Sequence, residues 1–420
     1  MKILWITNIL FPEAALLITE YNDLKASGGW MLGLADSIVK QNNIELSVAT
    51  VSNIVKSLTV VKGEHITYYV IPYGKGNLKY NKTYESYWRE IYEQSLPDIV
   101  HIHGTEYSHG LAFLNACPQA KAVISIQGLL SVCSNNYNCG LSNYDILKNI
   151  TIRDILRCDT LFNAMQKFKR SGEVVEKAML CKVEHIIGRT SWDKAHTWAI
   201  NPEATYHFCN EILRPEFYDG SCWKYDNCSK HTIFLSQAGT PIKGLHQVIK
   251  AMPFILREFS DTKIRIAGYD ITQCRTFNQR VRLSGYGKII RKMIKKYHLE
   301  ECIEFLGPLN AEEMKTEYLN ANVFVCPSSI ENSPNSLGEA QILGVPCIAS
   351  YVGGIPDFMH GCEQYMYRFE EVEMLAKYII DVFRKSPVID NSHIQELALQ
   401  RHHRNKNTDR LIEIYKSIME

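Results

Sequence analysis

Short apolar runs alternate with helix-length segments along most of the chain. This alternation is typical of parallel sheets, because each connection between parallel strands must cross back over the sheet, usually as a helix. The predicted helices are 30–40, 84–94, 246–258 and 311–320. The predicted strands are 2–7, 45–50, 66–71, 98–103, 122–127, 185–188 and 205–209, followed by 233–236, 263–267, 303–306, 323–326 and 347–350. The sequence therefore predicts an α/β protein with two doubly wound sheets.

A change of composition separates the two series of strands. Residues 215–231 are rich in polar and turn-forming types, which indicates a linker. We therefore expect an N-terminal domain over 1–214 and a C-terminal domain over 232–399. A chain of 420 residues is long enough for both to have a core of their own.

Composition and charge exclude several classes of protein. Hydrophobic residues make up 46% of the chain and charged residues 22%, as in soluble globular proteins. The net charge of +1 does not indicate binding to nucleic acid. The 13 cysteines include no Cys-x-x-Cys pair, which favours a reducing cytoplasm over a disulfide framework. Asn8 and Pro12 interrupt the first apolar run, so we expect no signal peptide.

Membrane contact stays open at this point. No uncharged stretch approaches the roughly 20 residues that a spanning helix needs. Basic residues nevertheless accompany aromatic or apolar ones at 166–170 and 282–296. Such clusters bind anionic lipid at about 1 kcal/mol per cation near the surface, although they can equally be solvated faces. The sequence predicts a cytoplasmic protein, with peripheral contact at the inner face of the cell membrane as the alternative.

Two carboxylates stand eight positions apart at a predicted strand–turn–helix junction. Glu331 follows the strand 323–326, and Glu339 lies in the helical pattern that begins after Pro334. Ser336 is the expected N-cap, with Glu339 closing a capping box. Ligands of open α/β sheets bind beyond the carboxyl ends of the strands, near helix N-termini. The pair therefore suits a polyhydroxylated ligand that carries phosphate, or else belongs to a capped helix with a surface glutamate.

The residues downstream make the pattern more specific. A helix stop and buried strand at 344–350 precede the loop Gly353-Gly354-Ile355-Pro356-Asp357. The whole segment 323–357 resembles the donor-binding signature of the retaining GT-B glycosyltransferases of family 4, the group 1 glycosyl transferases. The resemblance implies two Rossmann-like domains facing across a cleft, with a C-terminal helix at about 400–420 returning to the first domain. It also implies a nucleotide-sugar donor in the second domain, an acceptor in the first, retention of configuration, and no metal or other cofactor.

The resemblance also implies roles for individual residues of the donor site. Glu331 would orient the reacting sugar, and Glu339 would bind the ribose. The start of the predicted helix would hold the diphosphate, and Leu309 would pack on the base. Gly29 in the loop Ser27-Gly28-Gly29-Trp30 would approach the diphosphate, although a simple turn is equally compatible with that loop. The remaining expected donor contacts are Asn335, Ser336 and Leu337.

Lys243 is the candidate cation for the diphosphate. It lies in a glycine-flanked loop that follows the strand 233–236 and precedes a predicted helix. Members of the resembled family carry an arginine five positions earlier, where this chain has Ala238. Lys243 then works with another cation, or backbone amides and neighbouring side chains replace part of the charge. A solvated surface lysine is the alternative.

Three residues of the first series are candidates for the acceptor side. His103 ends a buried strand and matches the family histidine that faces the acceptor, although strand-end histidines are often structural. Gln127 ends the next strand, where many relatives have histidine. Arg189 follows a third strand, and it either binds an anionic acceptor group or pairs with Asp193 to fix its loop.

Absent motifs narrow the function further. The chain contains no Asp-x-Asp, no zinc-like Cys/His spacing, no P-loop and no Gly-x-Gly-x-x-Gly after its first strand. We expect a glycosyltransferase that moves a sugar from a nucleotide-sugar donor to a glycan or lipid-linked acceptor, in surface polysaccharide biosynthesis. The alternative is a nucleotide-sugar epimerase, of the kind acting on UDP-GlcNAc, or a non-catalytic paralogue. The loss of arginine at Ala238 favours an impaired enzyme.

Overall fold

Two compact units make up the protein. The computed structural model describes residues 1–19, 29–72, 80–385 and 391–420. The first unit contains residues 1–133, 167–214 and 402–420, and the second contains 134–166 and 215–401. The units divide between Arg214 and Pro215, where the predicted linker begins.

Strands and helices alternate in both units. The strands are β1 (Lys2–Ile6), β2 (Glu45–Ser52), β3 (Thr59–Lys62), β4 (Ile66–Pro72), β5 (Ile99–His103), β6 (Ala122–Ser125), β7 (His185–Gly188), β8 (Thr205–Phe208), β9 (Thr232–Leu235), β10 (Lys263–Ala267), β11 (Ile303–Gly307), β12 (Val323–Cys326), β13 (Cys347–Ser350) and β14 (Met366–Tyr367). The helices are α1 (Pro12–Thr19), α2 (Gly29–Val39), α3 (Tyr84–Ser95), α4 (Ser108–Ala116), α5 (Leu130–Cys133), α6 (Asn143–Lys148), α7 (Ile152–Leu156), α8 (Leu161–Ser171), α9 (Lys177–Leu180), α10 (Ser191–Ile200), α11 (Leu245–Ile255), α12 (Phe277–Arg282), α13 (Gly285–Lys296), α14 (Ala311–Asn320), α15 (Asn335–Ile342), α16 (Ile355–Phe358), α17 (Val372–Lys385), α18 (Ser392–Arg401) and α19 (Arg404–Met419).

The first unit is built on an eight-stranded sheet in the order β3-β4-β2-β1-β5-β6-β7-β8. All neighbouring strands are parallel except β3 and β4, which pair antiparallel. The chain builds outward in one direction from β1 and then returns to β5 on its other side. Beyond the carboxyl ends of β1 and β5, where the order reverses, the connections diverge and leave a crevice suited to ligands.

The second unit is built on a six-stranded parallel sheet in the order β11-β10-β9-β12-β13-β14. Here the order reverses between β9 and β12. Val323, Phe324 and Val325 of β12 are completely or almost completely buried, as expected of a central strand covered by helices on both faces. The predicted fold class is confirmed, with two parallel Rossmann-like sheets. Among the strands of the described residues, the short edge strands β3 and β14 were not predicted.

Residues 134–166 belong to the second unit, whereas the sequence analysis assigned them to the first domain. The carbonyl groups of this segment accept hydrogen bonds from side chains of the second unit. Ser329 Oγ donates to Asn136 O at 2.8 Å, and Lys250 Nζ donates to Gly140 O at 2.8 Å. In sequence the segment lies between β6 and β7 of the first sheet, but these hydrogen bonds are made with the second unit. The order of elements along the chain does not reveal this assignment.

The C-terminal helix α19 packs on the first sheet, where the sequence analysis expects a returning helix. Leu411 and Ile414 join the hydrophobic cluster beneath β1 and β2. Trp5 Nε1 donates a hydrogen bond to the Tyr415 hydroxyl at 3.0 Å, and both side chains are buried. The contact satisfies the polar atoms of two large aromatic residues and so fixes the register of α19 on the sheet.

Candidate functional site

The turn after β9 lies directly against the exit of β12. Pro241–Lys243 form one 3₁₀ turn, and Gly244 follows with φ of 71°. A Cβ atom on Gly244 would lie 1.7 Å from the Pro327 carbonyl oxygen, so only glycine permits this approach. Ser329 N–H also donates to Ile242 O at 2.7 Å. These contacts place the side chain of Lys243 beside the loop that carries Glu331.

Lys243 and Glu331 form an ion pair at this edge of the second sheet. Lys243 Nζ lies 2.5 Å from Glu331 Oε1, and the side chains are 22% and 15% exposed. Ser328 Oγ donates a second hydrogen bond to the same carboxylate oxygen at 2.7 Å. Ser350 Oγ in turn donates to Ser328 O at 2.5 Å. The sequence analysis predicted both charged residues as site residues, and the structure brings them into direct contact.

The Gly-Gly loop holds the backbone of Glu331. Gly354 N–H donates to Glu331 O at 3.0 Å. Gly353 has φ of 54°, and a Cβ atom there would lie 1.8 Å from the same oxygen. A side chain at position 353 would therefore displace Glu331. The backbone of this glutamate is fixed by the glycines and its carboxylate by Lys243 and Ser328.

Helix α15 begins two residues before the expected position, so the prediction of Ser336 as N-cap is wrong. Pro334 is the N-cap, and Asn335 and Ser336 are the first two helical residues. Proline cannot cap with a side-chain oxygen, whereas its fixed φ suits the entry to a helix. The backbone N–H groups of Asn335 and Ser336 make no hydrogen bond within the described part of the chain. They contribute the positive end of the helix dipole.

Leu337, Glu339 and Leu309 differ in how they can contact a ligand. The Leu337 side chain is fully buried in the core, and its N–H donates to Pro334 O at 2.9 Å. Glu339 is only 4% exposed, which excludes the interpretation of a surface glutamate. Leu309 follows β11 and is half-buried against the hydrophobic cluster around Phe324. Leu309 therefore retains an accessible apolar surface, whereas Leu337 does not.

Gly29 belongs to the first unit and is the first residue of α2. A Cβ atom there would lie 3.0 Å from the side chain of Arg214. Ser27 and Gly28 of the predicted loop lie outside the described residues.

His103 is buried at the carboxyl end of β5 and is neutral. Burial holds its pKa well below the ordinary value, and the neighbouring His101 and Arg189 lower it further. Its ring stacks on His101 at a centroid distance of 3.8 Å and meets the edge of Trp5 at 4.6 Å. Ser125 Oγ lies 3.4 Å from Nδ1, and Nε2 has no hydrogen-bond partner among the described residues. A neutral imidazole at this position can exchange hydrogen bonds with a hydroxyl.

Gln127 and Arg189 lie beyond the next two strands of the first sheet. Gln127 Nε2 is buried and finds no partner in the ranges described above. The guanidinium of Arg189 pairs with the Glu211 carboxylate, and both side chains are buried. The backbone N–H of Arg189 also donates to Asp193 Oδ2 at 3.0 Å. The arginine thus ties β7 to the segment after β8.

Glu106 is a residue of this region that the sequence analysis missed. It follows His103 by three positions, and Asn8 Nδ2 donates to it at 3.5 Å and to His103 O at 3.2 Å. Burial, together with the negative charge of Glu176, raises the pKa of Glu106 to about 7, against backbone hydrogen bonds that lower it. A single glutamate in a loop matches no motif. Its only signal is its position after β5, beside the reversal of strand order.

In the described ranges no three His, Cys, Asp or Glu side chains come together in a way that could hold a metal ion. None of the helices within those ranges combines the length and apolar character needed to cross a bilayer.

A family model matches most of the second unit, and curated sequences match about a third of the chain. Residues 227–401 match the family model described as "Glycosyl transferases group 1". A protein of Salmonella typhimurium named for colanic acid biosynthesis, the glycosyltransferase WcaL, is 28% identical over 152 residues, which are 34% of this chain and 34% of that protein. The amylovoran biosynthesis glycosyltransferase AmsK of Erwinia amylovora is 26% identical over 151 residues, 32% of this chain and 36% of that protein. The chain thus spans about a third of the length of these curated relatives.

Solved structures resemble the whole chain. The sucrose-phosphate synthase of Thermosynechococcus elongatus matches with a TM-score of 0.68 at 15% identity, over 99% of this chain and 98% of that one. HepE of Anabaena, in complex with UDP and glucose, matches with a TM-score of 0.63 at 15% identity, over 99% and 100%. This likeness shows that the chain has the GT-B fold of these proteins. Since both curated relatives are named as glycosyltransferases, the comparisons do not favour the epimerase alternative.

Replacement of Gly244 by alanine tests the contact on which the site geometry depends. Gly244→Ala should lower the free energy of unfolding by at least about 2 kcal/mol, because alanine disfavours positive φ and its Cβ would collide with Pro327 O. Gly239→Ala is the matched control, since a Cβ atom there meets nothing within 4 Å. Equal stability of the two variants in urea unfolding would contradict the close approach of the turn to β12.

The raised pKa of Glu106 predicts a specific pH dependence of stability. The folded carboxyl keeps its proton up to about pH 7, whereas an ordinary glutamate loses it near 4.5. The unfolded state therefore binds fewer protons in this window, so stability falls as the pH rises through it. The free energy of unfolding of the wild type, relative to Glu106→Gln, should drop by about 2 to 3 kcal/mol between about pH 5 and pH 8. A difference independent of pH would show that Glu106 titrates normally.

Proposed function

We propose that the protein is a retaining glycosyltransferase that moves a sugar from a nucleotide-sugar donor to a glycan or lipid-linked acceptor, in the synthesis of a surface polysaccharide. The observation that carries the proposal is the Lys243–Glu331 pair beside the uncapped start of α15. These groups lie after β9 and β12, where the strand order of the second sheet reverses. Open α/β sheets bind their ligands at such a point.

The pair offers complementary partners for the two halves of a nucleotide sugar. Glu331 can accept hydrogen bonds from sugar hydroxyls, and Lys243 can pair with a phosphate oxygen. In the absence of a ligand each neutralises the other, which limits the cost of keeping two charges partly buried. A donor supplies a hydroxyl to the carboxylate and an anion to the ammonium, so both charges exchange one partner for another.

The negative charge that develops on the leaving group is what the site must stabilise in the transition state. As the bond between sugar and diphosphate breaks, negative charge grows on the phosphate oxygen. Lys243 and the N–H groups of Asn335 and Ser336 are already oriented, so they stabilise that charge without reorganisation. With Ala238 in place of the family arginine, the backbone N–H groups would supply part of the missing positive charge.

Binding of the nucleotide involves the neighbouring elements of the second unit. Glu339, on the first turns of α15, would accept hydrogen bonds from the ribose. Leu309 would contact the base with its exposed apolar surface. HepE was solved with UDP, so uridine nucleotides are the first to test for this chain.

The first unit would bind the acceptor. His103 and Gln127 each present a buried nitrogen that has no partner within the described residues, and such atoms gain most from a ligand hydroxyl. Glu106, with its pKa near 7, lies at the same edge and can accept or donate a hydrogen bond. We do not include Arg189, because its guanidinium is already paired with Glu211.

Substitutions of three charged residues should separate binding from turnover. Glu331→Gln should lower turnover by about 100-fold or more, since it misplaces the reacting centre, while nucleoside diphosphate binding stays within a few-fold of the wild type. Lys243→Met should weaken nucleoside diphosphate binding and lower turnover by about 100-fold. Glu339→Ala should mainly weaken nucleotide binding. Calorimetry with UDP and GDP and a donor-consumption assay measure these effects.

Lys263→Met is the control for the lysine, because Lys263 is exposed on β10 of the same unit. Its binding and turnover should match the wild type. If Lys243→Met behaves like Lys263→Met, the diphosphate binds elsewhere and the proposed assignment of the donor site fails.

Transfer should not require a divalent metal. The chain has no Asp-x-Asp to hold an ion beneath the diphosphate, and the proposal assigns that charge to Lys243 and the start of α15. Activity should therefore persist after incubation with EDTA and dialysis. Loss of activity on chelation, followed by recovery with Mg²⁺ or Mn²⁺, would contradict this part of the mechanism.

A further inference from the structure

Two short helices of the second unit present large apolar side chains to solvent. On α7, Ile152 is 75% exposed and Leu156 is 77% exposed, and on α12 Phe277 is 79% exposed. Large apolar surfaces of this kind usually mark a site of interaction. The exposed apolar face comprises Leu147 at the end of α6, Ile152, Ile155 and Leu156 on α7, and Phe277 and Val281 on α12.

The two helices are held together with their apolar residues on the outer side. Ile152, Ile155 and Leu156 follow the i, i+3, i+4 spacing of one helix face, and Phe277 and Val281 are four residues apart. Helices α7 and α12 contact each other. Each helix therefore presents an apolar stripe to solvent, whereas the apolar stripe of an ordinary surface helix faces the core.

Buried polar contacts fix α7 in this inverted orientation. Asp154 is 2% exposed, caps its own helix through Thr151, and accepts a hydrogen bond from Gly285 N–H at 2.8 Å. Gly285 is the first residue of α13, so the carboxylate ties the two helices together. Helix α12 begins with a capping box between Thr276 and Gln279. Helix α7 is thus anchored to α13 by a specific polar contact and α12 is capped at its start, while the apolar residues of both stay outside.

The surroundings of the face are basic. Residues 275–296, which include α12 and α13, contain eight Lys or Arg and no Asp or Glu, although the whole chain has a net charge of only +1. Arg280 and Arg282 flank Val281 and are exposed, and Arg157 is exposed directly after α7. Acidic residues nearby include Asp145 on α6, the buried Asp154 of α7, Asp270 before α12, and Asp159, which pairs with Arg153 at 3.5 Å. Cations therefore outnumber anions around the apolar side chains.

We propose that the exposed apolar face docks the second unit on an anionic lipid bilayer. The apolar side chains would enter the boundary between headgroups and acyl chains, and the arginines would pair with lipid phosphates. A bilayer does not need to be complementary in shape to short helices. A second copy of the same surface is disfavoured, because a twofold pairing would place one basic segment opposite the other.

The docking surface is independent of the transfer chemistry, although it suits a lipid-linked acceptor. The sequence analysis pointed to 166–170 and 282–296 as basic clusters. In the structure, α12 lies against α7 instead. Helix α7 precedes the predicted linker by about sixty residues but belongs to the second unit. Helix α12 carries both apolar and basic exposed side chains, and α7 adds three further exposed apolar side chains.

Flotation with lipid vesicles tests the proposal on the full-length protein. Wild-type protein should float with vesicles that contain phosphatidylglycerol and should not float with pure phosphatidylcholine. The double variant Ile155→Ser/Phe277→Ser should bind at least about tenfold more weakly, because it removes two inserted side chains. Arg280→Gln/Arg282→Gln should lose about 30-fold in affinity and much of the salt dependence, at about 1 kcal/mol per cation.

Matched controls keep the test independent of folding and of the proposed activity. Trp198→Ser removes an equally exposed aromatic residue on α10, and Lys182→Gln removes an exposed cation, and neither should change vesicle binding. The two double variants should keep the wild-type unfolding temperature and nucleoside diphosphate binding. Intact vesicle binding together with absent nucleotide binding would reject the proposed function but not the docking surface.

Three outcomes would overturn the docking proposal. The first is wild-type protein that does not bind anionic vesicles. The second is binding that both double variants retain in full. The third is a wild-type dimer in analytical ultracentrifugation that Ile155→Ser/Phe277→Ser dissociates without any vesicle binding, which would assign the face to a second copy of the chain.

Discussion

The close approach of the turn after β9 to the exit of β12 is the contact on which the candidate donor site depends. Gly244 lets the backbone lie against the Pro327 carbonyl, and this places Lys243 within 2.5 Å of Glu331. The two residues are 88 positions apart in sequence, but β9 and β12 are neighbours in the sheet. A parallel sheet brings all its strand ends to one edge, and the reversal of strand order leaves room there for a ligand. The ion pair is thus a direct consequence of the topology.

The reversal of strand order also positions the candidate residues of the first unit, but these residues differ in charge from those of the second. Asn8 follows β1, and His103 and Glu106 follow β5, again at the reversal of strand order. The second unit presents a charged pair, whereas the first presents a neutral histidine and a carboxyl whose pKa is raised to about 7. Partly buried opposite charges suit a charged donor. Groups with little charge suit the hydroxyls of an acceptor, because they do not require a counter-ion when water is excluded.

The sequence predicted those parts of the fold and site that depend on local patterns. Apolar runs located nearly all the strands, and the motif around Glu331 and Glu339 identified one edge of the second sheet. The start of α15 was misplaced because Ser336 resembles an N-cap, whereas the fixed φ of Pro334 ends the preceding loop two residues earlier. The partners of Glu331 and Arg189 could not be predicted. Ser328 and Glu211 carry no motif and act only through folded geometry.

Residues 134–166 are the clearest case in which the position in sequence does not predict the structural unit. Their carbonyl groups and Asp154 complete hydrogen bonds of the second unit, and Leu141 and Leu161 pack against its core, so the side chains that hold the segment do not include those of residues 152, 155 and 156. Ile152, Ile155 and Leu156 are consequently left on the outside. A helix that buries its carboxylate and exposes its isoleucines is stable only if the carboxylate is satisfied inside, and a large exposed apolar stripe usually marks a site of interaction. The inward anchor is present in the structure, and the basic surroundings of the stripe indicate an anionic surface as the external partner.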